Sequence, residues 1–230
     1  MSPQPDPIDQ PPPGPPFQRR EPMFNLPPGT LWLTVAMIGV FLLEQVLEGP
    51  AWTWLFNTFA FVSTTFWPPG AGAPTLAGAM TLVTYAFLHA DFMHIALNLG
   101  FLLAFGSFVE RNLGLWRYLL LFALTAAVGA LTEFWFRGPE PLALIGASGA
   151  VYGMTGAAMR FMFAGGGAEQ RRRALLFVGV FLGLNLLFGA TGLGDFLAGA
   201  TVGWKAHAGG FVAGALLSFL LGGARPIPLC

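Results

Sequence analysis

Six long apolar stretches constrain the fold of this chain more than any other feature of its sequence. Each is close to the ~20 residues that a helix needs to cross a hydrocarbon core of roughly 30 Å. They cover residues 31–48, 86–108, 117–136, 146–163, 174–190 and 204–222. Because a backbone surrounded by lipid must satisfy its own hydrogen bonds, each stretch is predicted to be helical. The sequence therefore predicts an all-α membrane protein with six transmembrane helices.

Composition argues against several other classes of protein. Charged residues make up 10% of the chain, against about 25% in a soluble domain. Eleven basic side chains balance eleven acidic ones, so the chain lacks the basic excess typical of nucleic-acid binding. A single cysteine, Cys230, and three histidines leave no disulfide framework and little material for a metal site. We therefore predict no nucleic-acid partner, no metal and no cofactor.

The basic residues orient the six predicted helices. If the N-terminus is cytoplasmic, nine arginines lie in cytoplasmic segments, and only Arg137 and Lys205 lie on the opposite side. The nine are Arg19, Arg20, Arg111, Arg117, Arg160, Arg171, Arg172, Arg173 and Arg225. This positive-inside bias predicts that both termini are cytoplasmic.

The beginning of the chain differs from the rest in its high proline content. Eleven of the 19 prolines lie in residues 1–30, and a segment so poor in amide donors is predicted to be a disordered cytoplasmic tail. The membrane domain is expected to cover 31–222, followed by a short cytoplasmic tail over 223–230.

The connection between the first two predicted spans, residues 49–85, is rich in aromatic side chains. They are Trp52, Trp54, Phe56, Phe59, Phe61, Phe66 and Trp67. Since aromatic rings favour the headgroup region, part of this loop is predicted to lie in the membrane surface, although an ordinary aromatic belt gives the same pattern.

Three predicted spans contain polar residues, which are costly in lipid and therefore candidates for function. The candidate residues, with the glycines that flank the serine, are Gly146, Ser148, Gly149 and Tyr152 around span four, His207 in span six, and His89, His94 and Asn98 in span two. Singly, each has a structural explanation, because small residues let helices approach and His or Asn can bond between helices. Together they provide the nucleophile, base and oxyanion donors that a serine hydrolase needs.

In the number of spans and in these motifs, residues 31–222 resemble the rhomboid intramembrane serine proteases. The family pattern has Gly-x-Ser-Gly on span four, Ala-His-x-x-Gly on span six, and a histidine followed by His-x-x-x-Asn on span two. The matching residues are Gly146, Ser148, Gly149, Ala206, His207, Gly210, His89, His94 and Asn98. Glu110 and Gly114 also match a Glu-x-x-x-Gly at the cytoplasmic end of span two. The resemblance implies a six-transmembrane-helix rhomboid bundle with a membrane-associated first loop.

The resemblance also implies a catalytic dyad of Ser148 and His207 with no acidic third member. The backbone amide of Ser148, with His94 and Asn98, would stabilise the oxyanion in a cavity open to water. Tyr152 matches the tyrosine that stacks on the family's catalytic histidine. Gly146 and Gly149 would support the serine turn, and His89 is expected to be structural.

Substrates implied by the resemblance are single-span membrane proteins, cleaved near the outer end of their transmembrane segment. They would reach the site laterally, past span five and a capping loop over 191–203. The implied location is a bacterial inner membrane, and the oligomeric state is left open. Gly210-x-x-x-Gly214 is compatible with packing either within the bundle or between subunits.

One departure from the family pattern lies in the first loop. Many members carry a Trp-Arg pair where this chain has Met80 and Thr81. Because that pair is not catalytic, the departure concerns how the loop is anchored. Insertion of Trp52, Trp54 and Trp67 into the membrane interface is one way in which the loop could be anchored instead.

Three other functions are compatible with parts of the sequence. A catalytically inactive rhomboid-like protein that binds membrane clients would share the fold, but such proteins usually lack the serine or the histidine. A transporter would use intramembrane His, Asn and Glu as a relay and would not need Gly-x-Ser-Gly. A metalloprotease is disfavoured because no His-Glu-x-x-His occurs and His89 and His94 are five residues apart, off a single helical face.

Overall fold

The computed structural model describes residues 26–137, 141–192 and 203–222. Within these ranges most residues are helical, as an all-α membrane bundle requires. The helices are α1 (Pro28–Val46), α2 (Gly49–Phe59), α3 (Ser63–Phe66), α4 (Leu76–Thr84), α5 (Phe92–Leu113), α6 (Leu115–Arg137), α7 (Ser148–Gly165), α8 (Ala168–Thr191) and α9 (Trp204–Leu221). A short antiparallel ladder joins β1 (Phe61–Val62) to β2 (Ala143–Leu144).

Several predicted segments lie outside the described residues. They are residues 1–25 of the proline-rich tail, the C-terminal tail over 223–230 and residues 193–202 of the predicted capping loop. Where the described chain begins, α1 starts at Pro28, slightly before the predicted span at 31–48. Proline is favourable there because the first amide of a helix has no intrahelical acceptor.

The second predicted span, 86–108, has different boundaries in the structure. Its helix, α5, begins at Phe92, because the Asp91 carboxylate accepts a hydrogen bond from the His94 amide and caps the helix. Residues 86–91 therefore precede the helix, and His89 lies in this connection instead of in a span. At the other end α5 continues to Leu113 and stops at Gly114, whose φ of 80° interrupts the helix.

Five of the described helices are long and apolar enough to cross a membrane, namely α1, α5, α6, α8 and α9. The fourth predicted span, 146–163, forms α7, but this helix is not among the five. It is rich in glycine and contains Arg160, and ten of its 18 residues are buried. Several apolar helices indicate a multi-pass membrane protein, while the count of six spans stays a prediction.

The first connection, 49–85, is folded and is tied to the rest of the protein. Besides the pairing of β1 with β2, the Ser63 amide donates to the Leu142 carbonyl, and the Leu142 amide donates to Ser63 Oγ. Buried Phe66 packs edge-on against Phe134 of α6, with ring centroids 5.4 Å apart. Trp67 also packs against α6, with its ring centroid 6.4 Å from that of Trp135. These contacts anchor the loop without the Trp-Arg pair, and its insertion into a membrane stays a prediction.

Glycine sets how closely α7 and α9 approach. A Cβ atom added at Gly210 or Gly214 of α9 would meet the carbonyl oxygen of Gly149 or Gly153 in α7. The Gly210-x-x-x-Gly214 pattern thus packs within the bundle. This close approach brings the first turns of α7 and α9 together, and Ser148 and His207 lie on those turns.

Candidate active site

Ser148 is the first residue of α7 and is half-buried. The chain turns into this helix at Gly146, whose φ of 106° is a conformation that L side chains rarely adopt. His207 lies in the first turn of α9 and is 9% exposed. Its Nε2 atom is 2.8 Å from Ser148 Oγ. Two residues 59 positions apart in sequence are therefore in hydrogen-bond contact.

Tyr152 lies one helical turn after Ser148 and stacks on His207. The ring centroids are 4.3 Å apart and the planes differ by 8°. Tyr152 also stacks on Phe181 of α8, with ring centroids 4.3 Å apart. Three helices thus contribute to one aromatic stack that holds the His207 imidazole.

His94 and Asn98 lie one turn apart at the start of α5. The Asn98 side-chain amide donates to the His94 carbonyl at 2.9 Å, and Asn98 is 4% exposed. The Ala90 amide donates to His94 Nδ1 at 3.4 Å, which leaves Nε2 as the protonated ring nitrogen of a neutral imidazole. A Cβ atom at Gly146 would lie only 2.5 Å from this Nε2. His94 therefore borders the turn that leads into Ser148.

His89 is 2% exposed and touches His94 instead of the dyad. The two imidazole rings meet edge to face, with centroids 5.1 Å apart. The His89 amide donates to Glu44 Oε2 of α1 at 3.1 Å, and its Nδ1 lies 3.2 Å from the Phe87 carbonyl. These contacts fix the segment that precedes α5, and with it the position of His94.

The two glycines around Ser148 are required by close packing. At Gly149 a Cβ atom would lie 3.0 Å from Tyr85 Oη, and Gly129 of α6 is also adjacent. At Gly146 the His94 ring occupies the corresponding space. Small residues here let α5, α6 and α9 surround the beginning of α7.

Glu110, at the other end of α5 from His94, holds the beginning of α1, and Gly114 ends α5. The Glu110 carboxylate accepts hydrogen bonds from the Gly29 and Thr30 amides, both at 2.7 Å. Glu110 thus satisfies helix amides that have no intrahelical partner. The matched Glu-x-x-x-Gly is a structural element in this arrangement.

Two polar residues near the dyad were not singled out from the sequence. Buried Glu133 of α6 accepts a hydrogen bond from the Ala206 amide through Oε2 at 3.1 Å. Asn185 of α8 is 7% exposed, and its Oδ1 lies 2.7 Å from His207 Nδ1. Both are polar residues in apolar helices, and that cost in lipid is the signal that could have identified them.

Comparison with known proteins identifies the family of this chain. The family model described as the Rhomboid domain matches residues 77–224, which is more than half of the chain. This chain belongs to the rhomboid family. The match includes α5, α7 and α9, the three helices that carry His94, Ser148 and His207.

Curated relatives include both proteases and proteins named rhomboid-like. Rhomboid protease GluP of Bacillus subtilis is 31% identical over 145 residues, which cover 61% of this chain and 26% of that protein. Rhomboid protease GlpG of Haemophilus influenzae is 27% identical over 139 residues, covering 60% of this chain and 67% of that protein. Rhomboid-like protein 11, chloroplastic, of Arabidopsis thaliana is 30% identical over 131 residues, covering 55% and 39%. The chain spans less than half the length of the first and third of these rhomboids. At the level of the family, the protease names support intramembrane proteolysis.

Proposed function

We propose that this rhomboid is an intramembrane serine endopeptidase that uses Ser148 and His207 as a catalytic dyad. The observation that carries the proposal is the 2.8 Å contact between Ser148 Oγ and His207 Nε2, in an imidazole stacked on Tyr152. A hydroxyl is a weak nucleophile unless an adjacent base takes its proton. The dyad provides that pairing on two rigid helices.

In the proposed reaction, Ser148 Oγ attacks the carbonyl carbon of a peptide bond while its proton moves to His207 Nε2. The tetrahedral intermediate then collapses, the C–N bond breaks, and His207 returns the proton to the leaving amine. Water deprotonated by His207 attacks the acyl ester, releases the acid product and regenerates the serine. In this last step His207 returns the water proton to Ser148 Oγ as the ester C–O bond breaks.

Three groups are proposed to stabilise the oxyanion. The Ser148 amide is at the N-terminus of α7, where helix amides have no intrahelical acceptor. His94 offers Nε2–H, because its Nδ1 accepts from the Ala90 amide. Asn98 has a second side-chain N–H beyond the one bonded to the His94 carbonyl. Removing one such donor typically lowers the rate about 10²–10³-fold.

The proposed substrates are single-span membrane proteins, cleaved near the outer end of the transmembrane segment. An intact helix shields its peptide bonds, so a substrate helix weakened by Gly or Pro would unwind into an extended strand at Ser148. Substrates are proposed to reach the site laterally past α8, because only 17% of the apolar stretch of this helix is buried against the rest of the protein. The proposed location is a bacterial inner membrane, and the arginine distribution supports cytoplasmic termini.

The test is cleavage of a single-span substrate by the purified protein in liposomes. Ser148→Ala and His207→Ala should each lower the rate at least about 10³-fold. Ser218→Ala is the matched control, since Ser218 is buried in α9 and its hydroxyl donates to the Ala215 carbonyl. This control should cleave like the wild type.

A fluorophosphonate probe gives a second measurement. It should label the wild type and Ser218→Ala, and fail to label Ser148→Ala or His207→Ala. Cleavage by both dyad variants at the wild-type rate would overturn the proposal. A wild type that neither cleaves nor labels, yet retains bound membrane clients on purification, would favour the inactive rhomboid-like alternative.

A further inference from the structure

Asn185 is a buried amide on a helix that otherwise faces mostly outward. The apolar part of α8 is mostly exposed. Ala174 and Asn185 are the buried residues of α8. A polar side chain in such a helix is costly unless its hydrogen bonds are satisfied. The partners of Asn185 therefore indicate why an amide is present.

Both ends of the Asn185 amide have a partner on α9. Its Nδ2 donates to the Trp204 carbonyl at 3.1 Å, and its Oδ1 lies 2.7 Å from His207 Nδ1. A carbonyl can only accept, so the NH₂ group must face Trp204 and the amide oxygen must face the imidazole. The Trp204 carbonyl thereby determines that the oxygen of the Asn185 amide, and not its nitrogen, faces His207.

This orientation determines the tautomer of His207. Because Asn185 Oδ1 has no proton to give, Nδ1 of the imidazole must be the protonated nitrogen in the contact. A neutral imidazole then has its lone pair at Nε2, the atom 2.8 Å from Ser148 Oγ. The opposite tautomer would direct an N–H at the serine and could not take its proton.

We propose that Asn185 is a positioning residue that holds His207 in the tautomer and ring orientation a general base needs. The inference rests on the dyad function proposed above. When His207 receives the serine proton, both ring nitrogens carry hydrogen, and Asn185 Oδ1 still accepts from Nδ1. The same hydrogen bond therefore supports the resting imidazole and the imidazolium formed during the reaction.

The position of α8 depends on a second contact one turn after Asn185. Gly189 lies so close to the Trp204 side chain that a Cβ atom would overlap it. Gly183, on the same helix, has open space around the corresponding position. Gly189→Ala should therefore push α8 away from α9 and lengthen the Asn185–His207 contact, whereas Gly183→Ala should not.

The first experiment compares Asn185→Leu with Asn112→Leu in the liposome cleavage assay. Asn112 is a matched control, because it too is 7% exposed and its Nδ2 donates to a backbone carbonyl, that of Phe108. Asn185→Leu should lower kcat about 10–100-fold with KM unchanged, by analogy with losing the hydrogen-bond partner that orients a metal-ligating histidine. Asn185→Asp, which keeps an oxygen acceptor, should recover part of the lost kcat. Asn112→Leu should leave kcat close to that of the wild type, because the Asn112 side chain bonds within α5.

The second experiment reads the tautomer directly, without any need for activity. In ¹⁵N NMR of histidine-labelled protein, His207 is assigned by the signal missing from His207→Ala among only three histidines. The wild type should show a protonated Nδ1 and an unprotonated Nε2, and Asn185→Leu and Gly189→Ala should show a mixture of tautomers. Gly183→Ala should keep the wild-type spectrum.

The outcomes separate this inference from the proposed function. Equal kcat values for Asn185→Leu and Asn112→Leu, or an Asn185→Leu spectrum identical to that of the wild type, would overturn the role of Asn185. A wild type with no Ser148-dependent cleavage would overturn the protease proposal, and the NMR result would still decide whether Asn185 sets the tautomer of His207.

Discussion

The ring of Tyr152 lies flat against the imidazole of His207, one helical turn from the serine that the imidazole contacts. A stacked aromatic pair of this kind contributes about 0.5–1.5 kcal/mol beyond its buried area. The Tyr152 ring also limits rotation of His207, since it covers one face of the imidazole. Orientation of the proposed base therefore depends on this stack as well as on hydrogen bonds.

Replacing Tyr152 tests that dependence. Tyr152→Leu should lower kcat about 10-fold, because each 1.4 kcal/mol of lost transition-state stabilisation costs about a factor of ten. Tyr152→Phe keeps an aromatic ring in the stack and should retain most of the wild-type rate. Initial cleavage rates and fluorophosphonate labelling of the two variants are the measurements. Equal rates for Leu and Phe would show that stacking does not matter.

Gly146 provides a second prediction, based on backbone conformation. Its φ of 106° disfavours any side chain, and a Cβ atom there would lie 2.5 Å from His94 Nε2. Gly146→Ala should therefore lower the free energy of unfolding by about 1–3 kcal/mol and also reduce cleavage, because the turn into Ser148 must shift. Thermal unfolding in detergent and the cleavage rate measure the two effects.

Gly100→Ala is the control for that substitution. Gly100 lies within α5, and a Cβ atom there meets nothing within 4 Å. Since alanine is favoured over glycine in helices by about 1 kcal/mol, this variant should be as stable as the wild type or more stable. If both alanine variants unfold like the wild type, the conformation of Gly146 is not a constraint.

The sequence predicts the helices well because apolar length is a strong physical requirement in a bilayer. Five predicted spans correspond to described helices that are long and apolar enough to cross a membrane. Helix boundaries depend instead on local capping. The predicted span begins at residue 86, but α5 begins only after its cap, Asp91. Hydropathy carries no information about that cap.

The motifs predict the contact between Ser148 and His207 and the stacking of Tyr152 on His207, but they do not predict the polar groups around His207. Which polar group faces His207 depends on how α6 and α8 are rotated about their axes. A hydrophobic stripe would define that rotation, but in both helices apolar residues lie on every side. Glu133 and Asn185 could therefore be flagged as costly residues, but their partners follow only from the packed structure.

Glu133 provides a prediction about the beginning of α9. Its Oε2 accepts from the Ala206 amide, which is buried and has no intrahelical acceptor at this position. Glu133→Leu should lower the free energy of unfolding by about 1–3 kcal/mol, the cost of leaving such a group unsatisfied. Glu133→Gln keeps an acceptor oxygen and should lose less. The midpoint of thermal unfolding in detergent is the measurement.

Arg137→Gln is the control for Glu133. The Arg137 guanidinium lies 3.6 Å from Glu133 Oε1, and its side chain is 25% exposed. The ion pair is long and its guanidinium end is partly exposed, although the carboxylate end is buried, so Arg137→Gln should lower stability by less than Glu133→Leu. Equal destabilisation by Arg137→Gln and Glu133→Leu would mean that the ion pair, and not the hydrogen bond to Ala206, is the important interaction.

Substitution of Gly214 tests whether the Gly210-x-x-x-Gly214 motif packs within the bundle or between subunits. A Cβ atom at Gly214 would meet the Gly153 carbonyl oxygen of α7, so Gly214→Ala should force α7 and α9 apart and lower the free energy of unfolding by about 1–3 kcal/mol. Gly179→Ala on α8, where the added atom meets nothing within 4 Å, should leave stability unchanged or raise it slightly, as for Gly100→Ala. Thermal unfolding and light scattering in detergent measure stability and oligomeric state. Because the contact is internal, the oligomeric state should be the same in both variants, and a change confined to Gly214→Ala would place this motif at a subunit interface instead.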